Sequence, residues 1–320
     1  MTLSFAPMEG VTSKVFRSAH FSLFPQVDRY FSPFIAPDAK GSFKASSLRD
    51  ICPKSGTNVP LVPQVLTNSA QSFLSVARVA AELGYEEINL NLGCPSGTVV
   101  AKHKGAGLLS DRDALDALLA DIFSRCELTV SVKSRLGFSS TEEIDALMTI
   151  YRRYPIRELI LHARDREGFY RSRPDWDAFS RALDGAPFPI VYNGNIFDTA
   201  SYKSLTARFP ALGGVMLGRG AAANPALFRM LRGGAPLELG ELKAFHAALI
   251  DGYLSAGLDG RFTAARMKEH WFYLIALFSD SARLRKELLK ARDVKELSAC
   301  AERIFAQCPF DGAAAFREPV

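Results

Sequence analysis

No C-x-x-C pair occurs in this chain, and its five cysteines, Cys52, Cys94, Cys126, Cys300 and Cys308, are odd in number. A disulfide framework and the common zinc spacings are thereby excluded, so each thiol is judged by its neighbours. No uninterrupted apolar run reaches the roughly 18 residues that a membrane-crossing helix needs. Met1 leads straight into Leu3-Ser4-Phe5-Ala6, without the basic and apolar regions of a secretory signal. A cytoplasmic protein with no membrane segment is the expectation. Repeats of solenoid period and low-complexity tracts are also missing. What is present is ordinary globular composition: 320 residues, 48% hydrophobic and 23% charged, with room for a full core. Lys+Arg 39 against Asp+Glu 34 leaves a net +5, which allows a polyanionic partner without requiring one.

Short apolar runs recur along the first 230 residues. They are Leu3–Ala6, Arg29–Phe31, Pro60–Gln64, Ile88–Asn91, Leu128–Lys133, Leu159–His162, Pro189–Asn193 and Gly214–Leu217, eight candidate strands. Helical patterns lie between most of them: Ser69–Leu83, Asp111–Phe123, Thr141–Tyr154, Asp177–Leu183 and Thr199–Phe209. Alternation of this kind argues for parallel strands, and eight units argue for an α/β protein of the (β/α)8 TIM-barrel type. An open doubly wound sheet is the rival. Pro60 and Pro63 count against a regular third strand, because proline removes a ladder donor. After Gly233-Gly234-Ala235-Pro236 the pattern is helix alone: Glu241–Ser255, Thr263–Phe278, Ser281–Ala291 and Val294–Ala306. The expected division is therefore a barrel over 1–234 followed by a small C-terminal helical domain over 235–320. Within that tail, residues 283–295 carry six basic side chains against Glu287 and Asp293. Such a run is commonly a solvated face with charge pairs three and four residues apart.

In a barrel the chemistry lies where strands end and βα loops begin. The expected exits are Ala6-Pro7-Met8-Glu9-Gly10, Gln64, Asn91-Leu92-Gly93-Cys94-Pro95, Lys133-Ser134-Arg135, His162-Ala163-Arg164, Asn193-Gly194-Asn195 and Gly218-Arg219-Gly220. Nearly every exit carries a polar or reactive group, and that one-sidedness supports a site. The glycine turns after strands seven and eight, with Arg219, fit a phosphate, although a single Gly-x-Gly is more often only a tight turn. Lys133 in a barrel mouth needs an anion or an electron-rich ring to offset desolvation, so it suits either a Schiff base or a flavin neighbour. His162 and Gln64 offer hydrogen bonds to a planar heterocycle, while a lone histidine is usually structural. Cys94 alone among the cysteines occupies a mouth position, and a thiol there can donate a proton or attack.

Together these residues resemble the tRNA-dihydrouridine synthase family of flavoenzymes. The matching segments are Ala6 to Thr12, Asn91 to Ser96, Lys104 to Leu109, Val132 to Gly137, His162 to Arg164, Asn193 to Ile196 and Gly218 to Ala221, in the family's order. The Asn-Leu-Gly-Cys-Pro element is the most specific of them. The family often has His-Gly-Arg-Thr where this chain has His162-Ala163-Arg164-Asp165, and Asn-Gly-Asp where it has Asn195.

The resemblance implies FMN held by Pro7, Met8, Glu9, Gln64, Lys133, His162, Asn193, Gly194, Asn195, Gly218 and Arg219. It implies Cys94 as the catalytic acid, with hydride passing to uracil C6 and the thiol proton to C5, and NADPH as a transient donor. The tRNA-facing set would be Asn91, Lys104, Arg135, Arg164 and Arg166, with Arg283, Arg285 and Lys286 in the tail. Glu167-Gly168-Phe169-Tyr170-Arg171 is similar to the branch that modifies uridine 16. A monomer is expected. Two other readings stand beside this one: a flavin barrel acting on a free pyrimidine or small enone, and an RNA-binding barrel without catalysis.

Overall fold

The computed structural model describes residues 1–38, 40–53 and 59–317. Its sheet is parallel throughout the pairings it forms and runs β1 (Thr2–Phe5), β2 (Arg29–Phe31), β3 (Leu61–Val62), β4 (Gln64–Val65), β5 (Glu87–Leu92), β6 (Thr129–Gly137), β7 (Leu159–Asp165), β8 (Ile190–Asn193) and β9 (Gly214–Leu217). The spatial order is β3-β2-β1-β9-β8-β7-β6-β5-β4. The two outer members of that order are halves of one extended segment interrupted at Pro63. Leu61 and Val62 pair with Tyr30 and Phe31, whereas Gln64 and Val65 pair with Asn89 and Leu90. Pro63 has no amide to donate, but its carbonyl accepts from the Asn89 amide at 2.8 Å. The ring of an α/β TIM barrel is completed through this broken strand, eight runs in all.

Alternation within the strands decides what faces inward. On β5 the side chains of Ile88, Leu90 and Leu92 are buried without residual exposure, and they share their face with Val130 and Val132 of β6 and with Leu159 and Leu161 of β7. Asn89 and Asn91 occupy the opposite face, in register with Ser131 and Lys133. Helices begin where short polar side chains satisfy their first amides. Ser69 accepts from the Ser72 amide at the start of Ala70–Glu82, and Asp111 accepts from Ala114 at the start of Arg112–Arg125. Two strands run past their expected ends. β6 continues to Gly137 and β7 to Asp165, because Arg135 pairs with His162 and Gly137 with Asp165 across an irregularity in register. Arg135 and Arg164 are thus strand residues rather than loop residues.

The chain forms two compact units that do not follow one cut in the sequence. The first gathers Met1–Ser4, Arg29–Gly194 and Thr206–Met216; the second gathers Phe5–Asp28, Asn195–Leu205 and Leu217–Val320. The second contains the helices Lys14–Leu23, Leu239–Ser255, Gly260–Leu274, Ala282–Lys290 and Val294–Gln307. Lys14–Leu23 has no counterpart among the helices expected from the sequence. Its core is aromatic: Phe16 stacks on His20 at 5.7 Å and on His270 at 5.4 Å, and Phe245 meets Phe16 edge-on at 5.6 Å. Burial holds His20 and His270 down at about 3 and His246 at about 4, so these rings are neutral apolar-core members at ordinary pH. No helix among the described residues is long and apolar enough to cross a membrane.

Candidate active site

In the first unit the inward polar side chains form a connected ladder. Gln64 Nε2 donates to Asn89 Oδ1 at 2.8 Å, Asn89 Nδ2 to Ser131 Oγ at 2.9 Å, and Asn91 Nδ2 to Gln64 Oε1 at 2.7 Å. Each amide is thereby fixed in one orientation, which sets the neighbouring loop. Asn91 Oδ1 accepts from the amides of Gly93 at 3.0 Å and Cys94 at 2.9 Å. The Cys94 carbonyl in turn accepts from the Ala106 amide at 3.1 Å. A Cβ at Gly105, where φ is +57°, would lie 2.9 Å from the Cys94 carbonyl oxygen, and one at Gly107 would lie 2.8 Å from that of Val100. The Lys104-Gly105-Ala106-Gly107 motif is therefore a packing requirement of the Cys94 loop. Lys104 Nζ donates to the Pro37 carbonyl at 3.3 Å.

Lys133 is part-buried beside this loop. Burial first, and then the Arg135 charge, lower its ammonium to about 7, with the Cys94 thiol acting the other way. Arg135 donates from Nε to Gly93 O at 2.8 Å and from Nη1 to Asp165 O at 2.7 Å and Phe169 O at 3.3 Å. Burial lowers this guanidinium too, although it remains a cation. Arg164 donates from Nε to Ser172 O at 2.7 Å, and its Nη1 lies 2.8 Å from His162 Nε2. An arginine can only donate, so Nε2 accepts and the imidazole proton is assigned to Nδ1. Both arginines thus brace backbone segments around the mouth.

Tyr170, which the sequence marks only as part of the Glu167–Arg171 stretch and without a site role, is a further neighbour. Its ring lies 5.8 Å from that of His162 and 5.9 Å from the Arg135 guanidinium carbon, yet the residue is 47% exposed. Phe169 beside it is 39% exposed and has φ +50°. Two aromatics among Arg166, Arg171 and Arg173 are the signal that could have given Tyr170 a place beside His162. Arg166 lies over the Phe138 ring at 5.2 Å, with its Nε buried and without a hydrogen-bond partner. Asn193 Nδ2 donates to Met216 O at 2.8 Å. A Cβ at Gly194 would fall 2.3 Å from the Tyr192 hydroxyl, so packing alone demands glycine there.

The second unit holds the remaining sequence candidates. Thr12 closes the Pro7-Met8-Glu9-Gly10 turn: its Oγ1 accepts from the Met8 amide at 2.8 Å and its own amide donates to Met8 O at 3.0 Å. Gly10 has φ +79°, and a Cβ there would lie 2.6 Å from Glu269 Oε2. Arg219 opens the short helix Arg219–Ala223 and donates from Nη2 to Asn195 Oδ1 at 2.9 Å. Gly220 is required by the Ile196 carbonyl, which a Cβ would approach to 2.3 Å, whereas Gly218 has no such constraint. In the basic stretch, Arg283 pairs with Glu287 at 2.7 Å and Arg292 with Glu296 at 2.6 Å, the four-residue spacing of a solvated face. Arg285 is half-buried, and Lys286 and Lys290 are exposed.

Reactive side chains gathered at one mouth of a parallel α/β barrel define a barrel enzyme. A family model described as Dihydrouridine synthase (Dus) matches residues 4–304, and the chain belongs to that family. It is 30% identical over 302 residues to a tRNA-dihydrouridine(16) synthase of Shigella flexneri, covering 89% of this chain and 92% of that one. A probable tRNA-dihydrouridine synthase of Rhodobacter capsulatus is 28% identical over 314 residues, with 94% of each chain covered. Among solved structures, morphinone reductase aligns with a TM-score of 0.50 at 10% identity, over 76% of this chain and 88% of that one. That likeness concerns the fold alone.

Proposed function

We propose that this protein reduces uridine in tRNA to 5,6-dihydrouridine, with FMN as its flavin and NADPH as the reductant. The reading is supported by family membership over residues 4–304 and carried by one observation, the Cys94 loop. That loop holds a thiol at a strand exit, fixed by Asn91 and the two close-packed glycines, within electrostatic reach of Lys133 and Arg135. Lys133 fits a flavin because a desolvated ammonium regains its charge beside an electron-rich ring. Gln64 and His162 would meet the same ring. Pro7, Met8 and Glu9 would line it through their backbone, and Asn193, Gly194, Asn195, Gly218 and Arg219 would hold the ribityl phosphate end. When bound and reduced, FMN supplies the hydride that reaches uracil C6.

Cys94 Sγ then gives its proton to C5, where enolate character has developed. Asn91, Arg135, Arg164 and Arg166 frame the base, with Lys104 near the RNA backbone. Extracting a base from its stack costs a few kcal/mol, which basic contacts to phosphate offset. Arg283, Arg285 and Lys286 in the 235–320 tail are assigned to such contacts. Position 16 is the proposed target, supported by the name of the Shigella flexneri relative.

The test separates two half-reactions. Cys94→Ala should bind FMN and accept hydride from NADPH at the parent rate, because the thiol has no part in that step. Reoxidation of its reduced flavin by unmodified tRNA, followed by anaerobic stopped flow, should fall by about 10² to 10⁴, the range for a lost general acid. Parent-like reoxidation would sink the assignment. Position-by-position mass spectrometry of tRNA from a deletion strain checks the uridine.

A further inference from the structure

We infer that Phe316 is a positioning residue for Arg219, clamping its guanidinium against Phe197 in the orientation that receives the flavin phosphate. This rests on the phosphate role proposed above for Arg219. The guanidinium carbon lies 5.3 Å from the Phe197 centroid and 5.8 Å from that of Phe316, and the two rings are 5.5 Å apart at 67°. Asn195 Oδ1 takes a bond from Nη2 at 2.9 Å. A side chain with four flexible torsions is thereby restrained by aromatic contacts and by its bond to Asn195, and pre-organised cations bind anions better than mobile ones.

The tail that delivers Phe316 is itself fixed. Phe310 bridges to Phe278, the Asp311 amide donates to Leu277 O at 2.9 Å, and the Ser279 amide donates to Pro309 O at 3.1 Å. The Gly312 carbonyl accepts from Asn224 Nδ2 at 2.9 Å and from the Leu237 amide at 3.2 Å. A Cβ at Gly312 would lie 1.8 Å from Leu237 O, so only glycine permits that path. Asn224 caps the C-terminal end of the helix that Arg219 opens, so the tail holds one end of that helix and Phe316 reaches the other. Phe316 is 4% exposed and also meets the Tyr273 ring at 5.6 Å. A tail built only to cover apolar surface would not need an aromatic face toward a cation.

The experiment uses the full chain freed of flavin and titrated with FMN and, separately, with riboflavin, which lacks the phosphate. Quenching of flavin fluorescence gives both affinities for the parent, Phe316→Leu, Phe316→Tyr and Arg219→Met. Phe316→Leu keeps apolar bulk and removes the π face, so FMN affinity should fall by about 3- to 30-fold, the range of cation–π contacts, with riboflavin unchanged. Phe316→Tyr should retain the parent affinities. Equal weakening of both ligands in Phe316→Leu, or unchanged FMN affinity there while Arg219→Met loses its preference for FMN, would overturn the positioning role. If Arg219→Met prefers FMN over riboflavin as the parent does, the phosphate reading falls and takes the inference with it. Circular-dichroism melting of each variant separates a fold defect from a binding defect.

Discussion

Charges at the two ends of the strands in the first unit are handled in opposite ways. At the N-terminal ends, Arg29 opens β2 and bonds Glu158 and, at 3.3 Å, Glu87, while Arg157 reaches the same Glu87 oxygen at 2.8 Å. Cations and carboxylates neutralise one another there, and burial still outweighs Arg29 in setting the direction of Glu158, whose carboxyl is raised. At the C-terminal ends the cations are Lys133, Arg135 and Arg164. Arg135 and Arg164 donate to backbone carbonyls and to the His162 ring, Asp165 and Cys94 act in favour of the Arg135 charge, and burial first, then the Arg135 charge, push Lys133 down to about 7. At one end cations meet carboxylates directly, although Arg29 Nε, Glu87 Oε1 and Glu158 Oε1 are buried without a hydrogen-bond partner; at the other a desolvated lysine lowers the stability of the fold, and an electron-rich or anionic ligand would offset that cost.

Breaking the ion-paired end should give the largest change in stability. Arg29→Met leaves Glu87 and Glu158 buried with one fewer cation, and should destabilise the fold by about 3 kcal/mol in urea unfolding, with FMN affinity unchanged. Loss of flavin affinity at parent stability would contradict the division. The open end should respond in the reverse sense. Lys133→Met removes a desolvated charge, so the flavin-free protein should gain roughly 1–4 kcal/mol of stability at neutral pH while flavin binding weakens.

The same lysine gives a pH dependence of known sign. Free Lys133 is half-protonated near pH 7, and a bound flavin favours its charged form, so binding above that pH takes up a proton. FMN affinity of the parent should therefore fall between about pH 7 and 9, by up to tenfold per unit, and Lys133→Met should be flat. A pH-independent parent would remove the lysine from the flavin. The smallest effect is expected at Lys104, whose bond to Pro37 O is long. Lys104→Met should stay within about 1 kcal/mol of parent stability and lower the slope of log tRNA affinity against log salt by about one unit. An unchanged slope would take Lys104 out of the RNA-facing set.

The alternation of apolar runs and helical patterns carries the barrel, and polar residues stand at its strand exits in the sequence itself. Cys94 was legible because proline follows it and no other cysteine sits at an exit. The ends of β6 and β7 were not, since pairing across strands, rather than local propensity, extends them through Arg135 and Arg164. Glycine was legible as a requirement but not its reason: at Gly105, Gly107, Gly194 and Gly220 a neighbouring atom fills the space of a Cβ. His20, His246 and His270 disappear into an aromatic core that periodicity cannot distinguish from a polar face. The contact between Phe316 and Arg219 spans nearly a hundred residues, and no local pattern encodes it.

A ring completed by Leu61–Val62 and Gln64–Val65 closes through two residue pairs with β2 and an isolated bridge from Ile35 to Val65 on one side and two pairs with β5 on the other, whereas β5 and β6 share six. The seam is thus held by shorter ladders than the β5–β6 pair, and shorter ladders open locally at lower cost. Pro63 deepens the contrast, having no amide to add a rung. Gln64 sits at that seam and anchors the amide ladder to Asn89 and Asn91. Gln64 thus belongs both to the seam of the ring and to the ladder that sets the Cys94 loop, so a ligand that engages Gln64 would tie the two together.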